Sequence, residues 1–359
     1  MNIWNKSSRD FLYKYLRNTS PTGFESSGQK IWLEYLKPYI DEWGQDNYGT
    51  AYGTVNPGKD FSVVIEAHAD EISWFVNYIS DEGFISVIKN GGSDHMIATS
   101  KWVNIHTDKG IVKGVFGWPA IHMRRSKDTN MIPKTENIFI DVGANDKREV
   151  EKMGIHVGNV ITFDDEVGEL NDHYLAGRAL DNRVGGFAIA QVAKALKKNK
   201  VKLPYTLHIV NAVQEEVGLR GAQMIAHKLN PNIAIVTDVC HDTSTPMIKQ
   251  KVQGSIDCGK GPVLTYAPAV HHNILNKVID VANANDIPFQ RSASSRSTGT
   301  DTDAFAYSRD GIPSCLISLP LRYMHTTVEM AHKDDVSNLT KLIYETLKAI
   351  TPDMSLTYL

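Results

Sequence analysis

A chain of 359 residues with 42% hydrophobic and 22% charged residues has the composition of a folded protein, long enough for about two domains, which sets aside disorder and a membrane protein. Its net charge of −3, with both signs dispersed, gives no electrostatic reason for a nucleic-acid or anionic-membrane partner. No apolar run approaches the ~18–20 residues of a membrane span, the first nine residues lack a signal-peptide core, and Cys240, Cys258 and Cys315 have no metal-type spacing; a reducing, cytoplasmic setting follows most simply.

In chain order, amphipathic helices are predicted over about 8–17 and 26–36, separated by the turn Ser20-Pro21-Thr22-Gly23. Phe61 to Ala67 is a short, nearly continuous apolar run, the pattern of a strand covered on both faces. From Trp74 to about Phe163 the texture changes to short β-rich runs (Phe84–Ile88, Trp102–Ile105, Ile111–Phe116, Asn137–Val142) punctuated by glycines, as in a small β-barrel or sandwich. After Asp181 helices and strands alternate: a helix over about 182–197, a strand over 206–213, a helix over 220–229, a strand over 233–239, a helix over 273–283, a strand over 314–318 and a helix over about 337–350. Such alternation predicts an α/β fold with a mainly parallel sheet flanked by helices. The economical organisation is one discontinuous domain, residues 1–72 and 169–359, interrupted by a small β-barrel-like insert, residues 73–168.

The most informative feature is Gln214-Glu215-Glu216-Val217-Gly218, which directly follows the buried apolar stretch Tyr205 to Val213. Two adjacent carboxylates at the end of a core strand repel each other and lose hydration, which a cation in front of them would offset. Adjacency also suits a division of labour, one carboxylate binding metal while its neighbour moves protons. Taken alone, the pentapeptide reads equally as a solvated strand end. Four further places put ligand-type residues at strand ends or in adjoining loops: His68-Ala69-Asp70, Asp181 before a helix, Asp238, and His325. Carboxyl ends of strands are where an open α/β sheet binds ligands, and two imidazoles with several carboxylates suit zinc, cobalt or manganese. The two-residue spacing puts Asp70 on the face of His68, where it can accept the imidazole N–H. Each residue also has a bland reading: Asp181 as a helix N-cap, Asp238 as a loop starter, His68 as a hydrogen-bonded core residue. His271-His272, the basic run Lys197 to Lys202, the glycine pairs Gly91-Gly92 and Gly185-Gly186, and Ser292 to Ser295 fit no comparable motif.

The order of motifs resembles metallopeptidase family forty-two, the TET di-metal aminopeptidases, over nearly the whole chain. The matching stretches are Ser20-Pro21-Thr22-Gly23-Phe24-Glu25, Ala67-His68-Ala69-Asp70-Glu71-Ile72, Gly177 to Gly185, Gln214 to Ala222, Gly299-Thr300-Asp301 and Arg322-Tyr323-Met324-His325. Within the insert, Gly91-Gly92-Ser93-Asp94 and Gly114 to His122 match as well. The resemblance implies a phosphorylase/hydrolase-like fold and a metal-dependent aminopeptidase acting on short peptides. It implies two divalent ions, zinc foremost and otherwise cobalt or manganese. Asp181 would bridge them, with His68 and Asp238 completing one site and Glu216 and His325 the other. Glu215 would be the general base and Asp70 would orient His68. The peptide bond after Asp181 would be cis. The insert would make dimers that assemble into a tetrahedral dodecamer, with no nucleic-acid or membrane partner. Two stretches depart from the family: Thr326-Thr327-Val328-Glu329-Met330, where relatives carry Ser-Pro, and the more basic His332-Lys333-Asp334-Asp335. The alternatives are a related di-metal deacylase or carboxypeptidase, an endoglucanase of the kind some relatives are labelled, and a non-catalytic assembly protein, which predicts a broken ligand set; here every ligand is present.

Overall fold

The most apolar runs of the sequence become the middle of one sheet. In the computed structural model, which describes residues 2–124 and 131–359, the strands Thr206–Ala212, Ser62–His68, Ile233–His241 and Ser314–Arg322 lie side by side in that order and run parallel. Val63, Val64, Ile65 and Ala67 are fully buried, as strands covered on both faces require. Antiparallel strands extend both flanks: Ala51–Val55 and Glu42–Gln45 beyond Thr206–Ala212, then Glu329–His332, Tyr174–Gly177 and Gly168–Leu170 beyond Ser314–Arg322. Val263–Tyr266 and Gln290–Ala293 branch from the latter side, so the mixed sheet has eleven strands among the described residues.

Helices flank this sheet. Leu180–Lys198 packs on Ser62–His68 and on the helix Lys333–Ala349, and it is buried from Leu180 to Leu196. Its apolar and small residues all round, Val184 to Ala190, are what such a position needs. The helices Lys6–Arg17 and Ser26–Leu36 pack on it and on each other, the Phe11 ring stacking on Phe187 at 6.1 Å and on Tyr35 at 3.9 Å. A separate pair, Arg220–Leu229 and Asp301–Ala306, packs together, the first on Thr206–Ala212 and the second on Ile233–His241 and Ser314–Arg322. The C-terminal helix begins four residues before the expected Ser337, because Asp334 and Asp335 occupy its first turn and His332 caps it. The strand Ser314–Arg322 likewise runs past the expected Ser318. Pro320 pairs with Cys240 on one side, and on the other edge the ladder stops at Ser318 and resumes at Leu321, so the missing N–H falls in a gap.

The chain divides into two compact units: one of residues 1–70, Val167–Met324 and Val328–Leu359, the other of Glu71–Glu166 and His325–Thr327. The divisions come two residues earlier than 72/73 and 168/169, since Gly168–Leu170 already pairs in the large sheet. Within the second unit, Ser73–Ile79, Ile85–Asn90, Phe139–Asp141, Gly110–Gly117, Trp102–Thr107 and Val160–Phe163 follow one another around a closed antiparallel barrel. Closure leaves no open edge, and its interior holds Trp74, Val87, Ile105, Phe116 and Ile161, with the Trp74 and Phe116 rings meeting edge to face at 5.6 Å.

Candidate metal centre

Six of the expected site residues converge where the central strands end in the large-sheet unit. His68 is the last residue of its strand and Asp70 follows it; Asp238 lies near the end of the neighbouring strand Ile233–His241. Glu215 and Glu216 occupy the turn between Thr206–Ala212 and the helix Arg220–Leu229, just past the strand rather than in it. Asp181 enters from the start of Leu180–Lys198. There it has extended rather than helical backbone angles (φ −72°, ψ 114°), and the peptide bond to Asn182 is cis. It is no helix cap: its carboxylate points to His68, and its own N–H is donated to Glu329 Oε2 at 3.1 Å.

The distances are short and the setting is buried. His68 Nε2 lies 3.0 Å from Asp181 Oδ1 and 3.5 Å from Asp238 Oδ1, while Nδ1 lies 3.4 Å from Asp70 Oδ1. Asp70 in turn accepts the backbone N–H of Glu215 at 3.0 Å, that of Glu216 at 3.2 Å and the Thr22 hydroxyl at 2.8 Å. One carboxylate thus connects the imidazole, the Glu-Glu turn and the Ser20 to Gly23 loop. His68, Asp181 and Asp238 each offer a ligand atom within 4.8 Å of the others, and so do His68, Glu215 and Glu216; either trio could hold a metal ion. One ring N–H shared between two carboxylates serves each only weakly, and the arrangement fits a cation that all three share. Imidazole with carboxylates is a donor set for zinc, cobalt or manganese.

The electrostatics agree. Burial, and then the charge of Asp181, raises the proton affinity of Glu216; burial does the same to Glu215, Asp238 and Asp301. Burial alone would lower the His68 pKa, but contact with Asp181 and Asp238 lifts it well above its ordinary value. Desolvated carboxylates crowding one imidazole are a place where positive charge is strongly favoured.

Several contributors escaped sequence reasoning. Glu66 is fully buried on the same strand face as His68, and burial pushes its pKa up to about 8; Asp301, at the head of its short helix, is its buried neighbour. Glu25 accepts the N–H groups of Gly23 and Gln214 at 2.7 and 3.2 Å, and burial followed by the charge of Asp70 raises it to about 7. An acid inside an apolar strand, or in a turn far along the chain from its partners, carries no local pattern that marks it.

His325 lies in the stretch His325–Thr327, which clusters with the barrel unit. There Gly92 has a purpose: a Cβ at that position would stand 2.5 Å from His325 Nδ1. Lys101 Nζ holds Thr327 Oγ1 at 2.6 Å, an anchor in the stretch that departs from the Ser-Pro pattern. In the other departing stretch, Asp335 accepts the N–H groups of Gly259 and Gly261 at 2.6 and 2.7 Å, a structural use within the large-sheet unit.

The chain is similar to known aminopeptidases. The family model for M42 glutamyl aminopeptidases matches residues 49–342. A lysyl aminopeptidase of Pyrococcus furiosus is 31% identical over 345 residues, covering 96% of this chain and 97% of that protein. The crystal structure of a TET aminopeptidase from the marine sediment archaeon Thaumarchaeota archaeon SCGC AB-539-E09 superposes with a TM-score of 0.91 at 30% identity, over 96% of this chain and 97% of that one. The Pyrococcus horikoshii TET1 peptidase, which can assemble into a tetrahedron or a large octahedral shell, superposes with a TM-score of 0.83 at 28% identity, over 94% and 98% of the two chains.

Proposed function

The chain belongs to the M42 glutamyl aminopeptidase family, and we propose that it removes N-terminal residues from short peptides using two divalent cations held by this cluster. The observation that carries the reading is His68 Nε2 facing Asp181 and Asp238 together. In this reading His68 and Asp238 serve one ion, Glu216 and His325 the other, and Asp181 both. Zinc suits the donors best, with cobalt or manganese as substitutes. Ions bound there supply the positive charge that acidifies a water and polarises the scissile carbonyl.

The chain's own residues supply orientation and proton transfer. The Asp70 carboxylate stands 3.4 Å from His68 Nδ1 and favours the tautomer that leaves the Nε2 lone pair facing Asp181 and Asp238. Glu215 takes a proton from the attacking water as the water oxygen bonds to the carbonyl carbon. As the C–N bond breaks, the same carboxyl passes that proton to the departing amine. The raised proton affinity of Glu215 makes its carboxylate a stronger base for the first half of this exchange, and nearby positive charge would keep it ionised near neutrality.

The test is release of the first residue from short peptides with free and with acetylated N-termini by the metal-loaded protein. Turnover of the free peptides alone, abolished by a chelator, is expected. Turnover of acetylated peptides would move the assignment to a deacylase or an endopeptidase. A Glu215→Gln variant is expected to keep its metal and lose at least about 100-fold in kcat; undiminished turnover would remove Glu215 from the role.

The same reading includes homo-oligomers, dimers joined through the barrel unit and assembling to a tetrahedral dodecamer. Exposed Trp102, Ile111 and Met96 on that unit, 60%, 59% and 58% exposed, provide apolar surface for a neighbouring copy to cover. The three free thiols and the absence of any helix long and apolar enough to cross a membrane, among the described residues, support the cytoplasmic setting.

A further inference from the structure

A cavity of roughly 730 Å3 opens at the ends of the strands Ile233–His241 and Ser314–Arg322, large enough for the bulkiest side chains. Its apolar wall comes from Cys240, Met247, Ile248, Val252, Leu321 and Met324. Cys240 follows Asp238 by two residues on one strand, so both side chains leave the same face, about 7 Å apart. The cavity therefore adjoins the carboxylate cluster, within the short reach that separates a scissile carbonyl from the side chain of the residue carrying it.

The charges around the cavity are unsuited to a charged guest. Asp242 is saturated: it accepts from Arg322 Nε at 3.2 Å, from the Ser244 N–H and hydroxyl at 2.7 Å each, and from the Cys258 N–H at 2.7 Å. A carboxylate with four donors has little left to offer a substrate ammonium. Lys249 stands exposed at the rim, where water screens its charge from a substrate carboxylate. Meanwhile Met247 is 98% and Val252 72% exposed, apolar surface that an apolar guest would cover.

We propose that this cavity receives the side chain of the substrate's N-terminal residue and selects large apolar residues, such as leucine, methionine and phenylalanine, over acidic and basic ones. The inference rests on the aminopeptidase reading above and names its substrate class.

The experiment compares kcat/KM for the p-nitroanilides of Leu, Met, Phe, Ala, Glu and Lys, using the full-length, metal-loaded protein. The large apolar residues are expected to exceed Glu, Lys and Ala by about ten-fold or more. An Ile248→Glu variant, with a carboxylate in the wall, is expected to raise the Lys-to-Leu ratio by about ten-fold or more. Wild-type preference for Glu or Lys overturns the proposal, as does a ratio that Ile248→Glu leaves unmoved. Protein that turns over none of the anilides sinks the aminopeptidase reading. The cavity is then judged by calorimetry with leucinamide, lysinamide and glutamic acid α-amide. Binding of leucinamide alone supports it, and any other order overturns it.

Discussion

Asp70 ties three residues of the cluster together. Its carboxylate faces His68 Nδ1 and accepts from Glu215, Glu216 and Thr22, so its loss would loosen the imidazole and the Glu-Glu turn together. Asp70→Asn keeps the shape and presents a donor where acceptors are required. It is expected to lower kcat/KM by about 10–100-fold with the fold intact, read from kinetics beside circular dichroism. Thr22→Val removes one of the three donors and is expected to cost about 1 kcal/mol of stability, measured by urea denaturation. An unchanged denaturation midpoint would show that the hydroxyl is dispensable. These two residues also mark where sequence legibility stops. Asp70 is readable because two-residue spacing on an extended chain puts it beside His68. Thr22 sits 48 residues from its acceptor in a Pro-Thr-Gly turn, and it reads as turn chemistry. Glu66 is harder still, since an acid within an apolar strand contradicts the pattern by which the strand is found.

At the scale of elements, the apolar runs and alternating helices were legible because burial on both faces leaves composition as a direct signal. The strands Glu42–Gln45 and Gly168–Leu170 were not. They are edge or near-edge pieces of four and three residues with mostly exposed side chains, paired through backbone that any sequence supplies. The barrel was legible as a texture of short β runs and glycines, whereas its closure depends on pairings between distant strands such as Ser73–Ile79 with Val160–Phe163. The Gly91-Gly92 pair shows how a motif acquires a cause once the elements are placed. Gly92 lies after the barrel strand Ile85–Asn90, and the His325 ring occupies the space its side chain would need. Gly92→Ala is therefore expected to displace His325 and lower the affinity for the second ion by about ten-fold or more, with the first ion retained. Metal titration followed by elemental analysis checks this; two tightly bound ions in the variant would remove His325 from the ligand set.

For the whole molecule, the cluster makes folding, pH and metal one linked equilibrium. Glu66 and Glu25 carry folded pKa values of about 8 and about 7, above the ordinary carboxylate value of 4.5, chiefly through burial. Each takes up a proton on folding, so its contribution is full below pH 4.5 and is lost as pH rises through the folded value. His68 is also raised, above 6.5, so the stability it gains from Asp181 and Asp238 is likewise lost as pH rises through its folded value. All three slopes have the same sign, and His208 and His271, lowered by burial, oppose them only up to about pH 6.5, so metal-free protein should become less stable between pH 6.5 and pH 8. The loss is on the order of a few kcal/mol, since one pKa unit corresponds to about 1.4 kcal/mol. Divalent ions at the proposed site would displace the protons favoured on His68, Glu216 and Asp238, and their charge would lower the proton affinity of Glu66 beside them. Loading at pH 6 should therefore release about one proton or more per chain, and the metal-loaded protein should lose the downward slope of Tm with pH. Calorimetric scans from pH 6.5 to 8, with and without zinc, together with proton release in weak buffer, measure both quantities. A metal-free Tm that rises across this range would overturn the linkage, and metal uptake without proton release would place the ions away from these carboxylates.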